Sequence, residues 1–444
     1  MSAPREIFGS NFGTLMTMIG VAVGLGNVWR FPYLVGRYGG AAFVVLYIAV
    51  VVAIGVPGLM AEWALGRATR RGTVGAFARG GLPLGGALGW MLFVVVTAAT
   101  AYYTNVVGWV LYFALGELLR GVGVSLNSSA ILPPEHGFNG TSFGLQILAT
   151  AAVTLGAVWV LIRGLRRGIE RVSSWIMPTL FVILVVLIVR SLTLPNSWAG
   201  VEWYILKVEV ADLTPRVAIA ALGHAIFTLS LGGTFMVTYG SYLSEGDDLR
   251  SNALWTAVGD TVSGLMAGLA IFPAVFAFGL TPGSGPGLLF DTLPKVFASM
   301  AGGWMFALLF FLGLFGAAFL SAMAAFEVLV AGLIDGAGLT RTRATWSAAG
   351  LVMVFALPPM LNMEIFVPWD LTFGSGMQTF GALMAAVTVG WSMKRSDALR
   401  ALSATDATVP GWLYAWIRYV IPGAILSVGI WWFITSVLGV AEAV

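Results

Sequence analysis

The sequence predicts an all-α polytopic membrane protein of about eleven transmembrane helices, and three observations carry that expectation. Of 444 residues, 59% are hydrophobic and only 10% charged, against roughly 25% charged in soluble domains. So few charges cannot coat the three ~150-residue domains that this length would otherwise suggest. The apolar residues also gather in blocks of 20 or more, such as 41–65, 174–194 and 304–334. A helix needs about 20 apolar residues to cross the hydrocarbon core. Finally, positive charge falls in alternate loops.

Taken in order, the apolar blocks place spans at about 12–37, 41–66, 87–119, 143–163, 171–192, 215–243, 251–281, 303–335, 344–360, 366–392 and 411–438. One side of the bundle then holds Arg5, Arg67/Arg70/Arg71/Arg79, Arg163/Arg166/Arg167/Arg171, Arg250, Arg341/Arg343 and Lys394/Arg395/Arg400. The opposite loops hold little beyond Lys207 and Lys295. By the positive-inside rule the N-terminus is expected in the cytoplasm and, with an odd number of spans, the C-terminus outside a plasma (inner) membrane. The start of the chain lacks a long charged n-region and a small-residue cleavage site, so it reads as a retained tail rather than a signal peptide. The longer outer loops fall at about 120–142, 193–214 and 282–302. The first carries two sequons, Asn127-Ser-Ser129 and Asn139-Gly-Thr141, a pattern common by chance.

Several functions are excluded at this stage. The net charge of +3 comes from short arginine runs between apolar blocks, which form no basic domain for nucleic acid. Cysteine is absent, so disulfides, thiolate catalysis and cysteine-bound zinc are ruled out. His-Glu-x-x-His and Gly-x-Ser-x-Gly are missing as well, which argues against an enzyme. A membrane sensor would normally add a soluble signalling domain, and only Gly439-Val-Ala-Glu-Ala-Val444 follows the last expected span.

Two spans look broken in similar ways. The first reads Gly20-Val-Ala-Val-Gly24-Leu-Gly26-Asn27-Val-Trp-Arg30-Phe-Pro32, and the sixth Phe227-Thr-Leu-Ser230-Leu-Gly232-Gly233-Thr234. Each glycine costs a helix interior about 1 kcal/mol relative to alanine. Glycines alone would favour close helix packing. Polar Asn27, Arg30, Thr228 and Ser230 beside them favour unwound stretches, which a bilayer tolerates only around a polar cavity. Breaks at the first and sixth spans are corresponding positions of two five-helix halves, about 12–192 and 215–392, with 411–438 as an extra helix. That is the pattern of an inverted repeat with a midplane site.

These strings, with Glu62-Trp-Ala-Leu-Gly-Arg67 and Thr238-Tyr-Gly-Ser-Tyr242, resemble the neurotransmitter:sodium symporter family, particularly its bacterial amino-acid transporters. The resemblance runs from about residue 5 to residue 440. It implies sodium-coupled import of amino acids by alternating access, with a proton-coupled or single-sodium transporter on the same fold as the alternative.

The resemblance also implies a site. Substrate would meet Val21, Ala22, Gly24, Gly26, Ala99, Tyr103, Phe227, Thr228, Ser230, Gly233, Ser321 and Ala325, with Ala322 nearby. The family tyrosine that binds the substrate carboxylate falls on Tyr103. Position 24 is glycine where relatives that carry amines have an aspartate, so the substrate should bring its own carboxylate. Small residues at 99, 233, 322 and 325 imply a bulky apolar or aromatic substrate. A first sodium site carries over as Ala22, Asn27, Thr228 and Asp260, completed by that carboxylate. A second carries over as Gly20, Val23, Ala317, Leu320 and Ser321, where Leu320 brings no oxygen and throws the site into doubt. Chloride-dependent relatives use a polar set that falls here on Tyr47, His224, Thr228, Asp260 and Gly264; the Asp260 carboxylate would supply the missing charge, so no chloride requirement is expected. Arg30 and Asp370 correspond to the outer gate, and Arg5, Asp335 and Tyr242 to the inner one. Glu62 and Glu327 are expected to be structural.

Overall fold

The apolar blocks fold as helices. The computed structural model describes residues 5–279, 293–300, 302–403 and 409–437, and among them seven helices are long and apolar enough to cross a membrane. These are Ala41–Thr69, Gly85–Gly121, Gly140–Leu161, Leu165–Leu192, Leu249–Ala277, Gly303–Ala337 and Gly411–Thr435. An eighth span is the pair Asn11–Ala22 and Gly26–Arg37, bent by 54° at its break. The other three expected spans are helical but short or interrupted: Pro215–Thr228 with Phe235–Gly240, then Arg341–Ala356, then Met363–Trp369 running on to Met377–Val387. No strand occurs among the described residues. The expected outer loop at about 282–302 lies outside the described residues as far as residue 292, and so does everything beyond residue 437.

Local chemistry explains both breaks. The first half-helix opens on Ser10, whose side chain accepts the Gly13 amide at 3.0 Å, and it ends where Val23 turns extended (ψ 117). Helix resumes at Gly26. The sixth span starts with a Thr214 cap and Pro215, whose missing N–H costs nothing in a first turn. Past Thr228 the backbone turns left-handed at Ser230, Gly232 and Thr234 (φ 53, 93 and 56). Such a conformation costs a non-glycine residue about 1–2 kcal/mol, so helix cannot propagate through it. Position 232 needs glycine for a second reason, since a Cβ there would strike the backbone carbonyl of Gln378.

The exposed amides are then satisfied internally. Buried Glu62, in the second span, accepts the Gly232 amide at 2.7 Å. Ser230 Oγ donates to the Val21 carbonyl at 2.8 Å, tying one break to the other. In hydrocarbon each unpaired amide would cost several kcal/mol. The third and eighth spans, 37 and 35 residues long, reach about 50–55 Å at 1.5 Å per residue and pack against each other. The most apolar windows of the fifth and eleventh spans are only 28% and 24% buried, so most of their surface faces outward, as lipid-facing helices should. The two broken spans sit inside this frame.

Candidate functional site

The two breaks face each other across a cavity. Its walls include Ala22, Gly24, Leu25 and Gly26 from the first break and Phe227, Thr228, Ser230 and Phe235 from the sixth span. The third span adds Ala99, Thr100, Tyr102 and Tyr103; the eighth adds Ser321 and Ala325, and the tenth Gln378. The empty space between them is ≈ 560 Å³, open mouth included. No lining residue carries a formal charge. At one end, the Leu25 amide donates to the Tyr103 hydroxyl at 3.3 Å, which leaves the tyrosine's own hydrogen available to an anionic ligand. Residues 25 and 26 begin the outer half-helix beside the cavity, and a helix N-terminus favours negative charge. Gly24 has no room for a side chain, because its Cβ would lie 2.5 Å from Ser321 Oγ and 2.8 Å from the Tyr103 hydroxyl.

Beneath that end lies a cluster of oxygens centred on Asp260, which is fully buried. Asn27 Nδ2 donates to Asp260 Oδ1 at 2.7 Å and to its carbonyl at 3.0 Å. Thr228 Oγ1 donates to the same Oδ1 at 3.0 Å, and the Tyr47 hydroxyl to Oδ2 at 3.1 Å. Asn27 Oδ1 accepts the Gly24 amide at 3.0 Å. Carboxylate, amide and hydroxyl oxygens in one buried spot are the donor set of a hard cation. No group of three or more His, Cys, Asp or Glu side chains placed to hold a metal ion occurs among the described residues.

The position of the second ion is different. Leu320 is buried and its Cδ1 lies 2.9 Å from where a Cβ on Gly20 would stand. Ser321 Oγ donates to the Val23 carbonyl at 3.0 Å. Leu320 thus packs against the backbone of the first half-helix and offers it methyl groups, leaving Ser321 as the side-chain oxygen from the eighth span. Ala317, one helical turn before it, is buried.

The residues matched to a chloride site lie side by side, with Thr228 and Tyr47 on Asp260 and His224 behind Tyr47. Tyr47 touches Asp260, as above. His224 stacks on Phe31 with ring centroids 5.6 Å apart and lies 5.3 Å from the Tyr47 ring. Neither of its ring nitrogens has a hydrogen-bond partner. Gly264 faces the Phe31 ring.

At one end of the bundle, Arg5 Nη1 reaches both Asp335 oxygens at 3.1 Å, and Arg5 Nε reaches Ser241 Oγ at 3.0 Å. The guanidinium also sits 4.7 Å from the Tyr242 ring centroid. Asp335 further accepts from Arg71 at 2.9 Å and from the Gly72 amide at 2.8 Å. The Tyr242 hydroxyl donates to Glu327, which Arg341 pairs at 2.7 Å. That end is closed. At the other end the expected pair is not formed: no ion pair joins Arg30 and Asp370. Arg30 instead lies 4.5 Å from the Phe227 ring centroid, while the Asp370 carboxylate faces Tyr102 and Gly374. That end is therefore less tightly sealed than the Arg5 end.

The structure also departs from the expected pocket at three places. Val21, Gly233 and Ala322 do not line it. Val21 turns its carbonyl to Ser230, and the Phe235 ring fills the space that a Cβ on Gly233 would need. Leu25, Thr100, Tyr102, Phe235 and Gln378 were not singled out from the sequence, and each lines the cavity. A polar residue in an apolar span was the available signal for Gln378. Glu62 was read as structural, and its bond to the sixth-span break gives that role an address.

Comparisons with known proteins agree with this geometry. The family model described as Sodium:neurotransmitter symporter family matches residues 5–120 and 140–440. An uncharacterized sodium-dependent transporter of Bacillus subtilis is 31% identical, over 96% of this chain and 98% of its own. The sodium-dependent serotonin transporter of Drosophila melanogaster is 25% identical, over 99% of this chain and 77% of its own. Among solved structures, the crystal structure of MhsT in complex with L-phenylalanine matches with a TM-score of 0.81 and 33% identity, covering 96% of this chain and 99% of that one.

Proposed function

The chain belongs to the sodium:neurotransmitter symporter family, and from that premise of sodium-coupled transport we propose that it imports bulky hydrophobic or aromatic amino acids. The observation that carries this reading is the uncharged cavity whose Tyr103 end lies over the Asp260 cluster. A zwitterion supplies what such a cavity lacks. Its carboxylate meets the Tyr103 hydroxyl and the amides of the first break, and it completes the oxygen shell of a sodium ion held by Ala22, Asn27, Thr228 and Asp260. Its ammonium meets the carbonyls that end the half-helices. Tyr102, Phe227 and Phe235 give the remainder apolar walls, and the L-phenylalanine bound by MhsT is a ligand of that kind.

Ion and substrate then bind as one cluster. The closed Arg5–Asp335 end and the separation of Arg30 from Asp370 support reading this conformation as the outward-oriented half of an alternating-access cycle. The N-terminus is assigned to the cytoplasm and the last span's end to the outside of a plasma membrane. Residues 12–192 and 215–392 are the two repeats that rock against each other.

Coupling is assigned to one sodium per substrate. Leu320 removes one of about five ligands from the second site, and the negative charge of Asp260 stands in for chloride. A second reading adds a proton at a later step, favoured by the buried His224 ring, whose nitrogens lack partners. Uptake into proteoliposomes with sodium and pH gradients imposed separately tests both. Accumulation driven by sodium alone supports the main reading, accumulation needing both gradients supports the second, and accumulation indifferent to sodium contradicts each.

A further inference from the structure

The fourth and fifth spans meet at a groove that shares no lining residue with the central cavity. Gly164 (φ 82) turns the chain sharply between the helices Gly140–Leu161 and Leu165–Leu192. Arg163, Arg167 and Arg171 then open onto one groove of ≈ 1000 Å³, open side included. Trp159 and Trp175 flank it at 60% and 73% exposure. The Arg163 guanidinium lies 3.6 Å from the Trp159 ring centroid. All three arginines are exposed, and no ion pair neutralises them among the described residues. The neighbouring acids are engaged elsewhere. Glu6 accepts the Leu165 amide at 2.7 Å, and Glu170 accepts the Gly9 amide at 2.9 Å and the Ser10 hydroxyl at 2.8 Å.

We propose that this groove binds the headgroup of an anionic glycerophospholipid in the leaflet on the Arg5 side. Guanidinium forks match phosphate oxygens in geometry and charge. Exposed tryptophans settle at headgroup depth, so the flanking rings place the groove in the interface, where a lipid phosphate sits and where acyl chains can cover them. A free phosphate would leave both rings uncovered, and a zwitterionic lipid would leave the net positive charge in place. Basic pockets between spans are suited to anionic headgroups for these reasons.

The groove is also joined to the closed end of the bundle. Arg166, in the same run, donates to the Ile7 carbonyl at 2.8 Å and to that of Phe8 at 3.4 Å, just after Arg5, which pairs with Asp335. A lipid seated on this turn steadies the socket that holds the N-terminal segment.

The test uses the full chain in nanodiscs of phosphatidylcholine with and without phosphatidylglycerol, reading retained lipid by native mass spectrometry. The unmodified protein should retain phosphatidylglycerol over phosphatidylcholine by about tenfold or more. Arg163→Gln with Arg167→Gln and Arg171→Gln should bring the ratio close to one. Arg343→Gln with Lys394→Gln and Arg395→Gln removes three charges elsewhere on that end and should leave it unchanged. No preference in the unmodified protein, equal loss in both triple variants, or displacement by millimolar inorganic phosphate would each overturn the proposal. The measurement on the unmodified protein stands even if a variant fails to fold.

Discussion

Replacing Asp260 by asparagine isolates one charge with little change of shape. The amide oxygen can keep the donors now aimed at Oδ1, from Asn27 at 2.7 Å and Thr228 at 3.0 Å. The amide nitrogen would face Tyr47, 3.1 Å from Oδ2, whose hydroxyl can rotate from donor to acceptor. Folding should therefore survive. The lost term is the attraction between a sodium ion and a buried carboxylate. Two unit charges 4 Å apart attract by about 4 kcal/mol at an effective dielectric of 20, and each 1.4 kcal/mol is tenfold in affinity. Apparent sodium affinity should fall by about two to three decades. Chloride bound near Tyr47 would restore part of it, so the variant should become chloride-dependent where the unmodified protein is not. The assay is sodium-dependent binding of a radiolabelled amino acid, with chloride exchanged for gluconate. Unaltered sodium affinity with chloride-indifferent binding in the variant would remove Asp260 from the ion site and refute the reasoning.

Leu320→Thr should supply the missing oxygen opposite Gly20 and raise the sodium dependence of substrate binding from about first to about second order; an unchanged order, or second order already in the unmodified protein, counts against the single-ion assignment. Arg5→Ala deletes the bonds to Asp335 and Ser241 while Arg71 and Gly72 remain, and charged hydrogen bonds are each worth about 1.5–3 kcal/mol. Maleimide labelling of a cysteine introduced by Thr238→Cys should then rise about tenfold or more, and equal labelling would show that Arg5 does not hold that end shut. Glu62→Ala should lower stability by about 2 kcal/mol by orphaning the Gly232 amide, whereas Glu62→Gln should keep most of it; equal losses in thermal unfolding would point to packing instead.

The sequence exposed the skeleton of the protein because its signals are local. Apolar blocks mark spans whatever they pack against, and Gly24/Gly26 and Gly232/Gly233 mark breaks wherever they lie. The Arg5–Asp335 contact joins residues 330 positions apart, so charge alone could not pair them and the family resemblance did. Tertiary register decided what remained hidden. Gly233 looked like added space, yet the ring of Phe235 two residues later occupies it. Arg30 and Asp370 looked like a pair, yet each has turned to an aromatic neighbour, Phe227 or Tyr102. Asp335 gathers Arg71 and Gly72 as well as Arg5, because the turn after the second span ends there, a closeness no spacing rule reveals. Leu320 was legible as an anomaly because the resemblance makes its position an ion ligand and a leucine brings no oxygen.

The central claim is that substrate and sodium complete each other's binding site through the substrate carboxylate. The most direct measurement is equilibrium binding of L-phenylalanine, L-tryptophan, glycine and phenethylamine to the purified protein across a sodium series. The two aromatic amino acids should bind only with sodium present, and each should in turn tighten sodium binding. Glycine should bind weakly, and phenethylamine, which keeps the ring and ammonium but lacks the carboxylate, should not bind at all. Tight binding of phenethylamine, or binding of L-phenylalanine that ignores sodium, would contradict the claim.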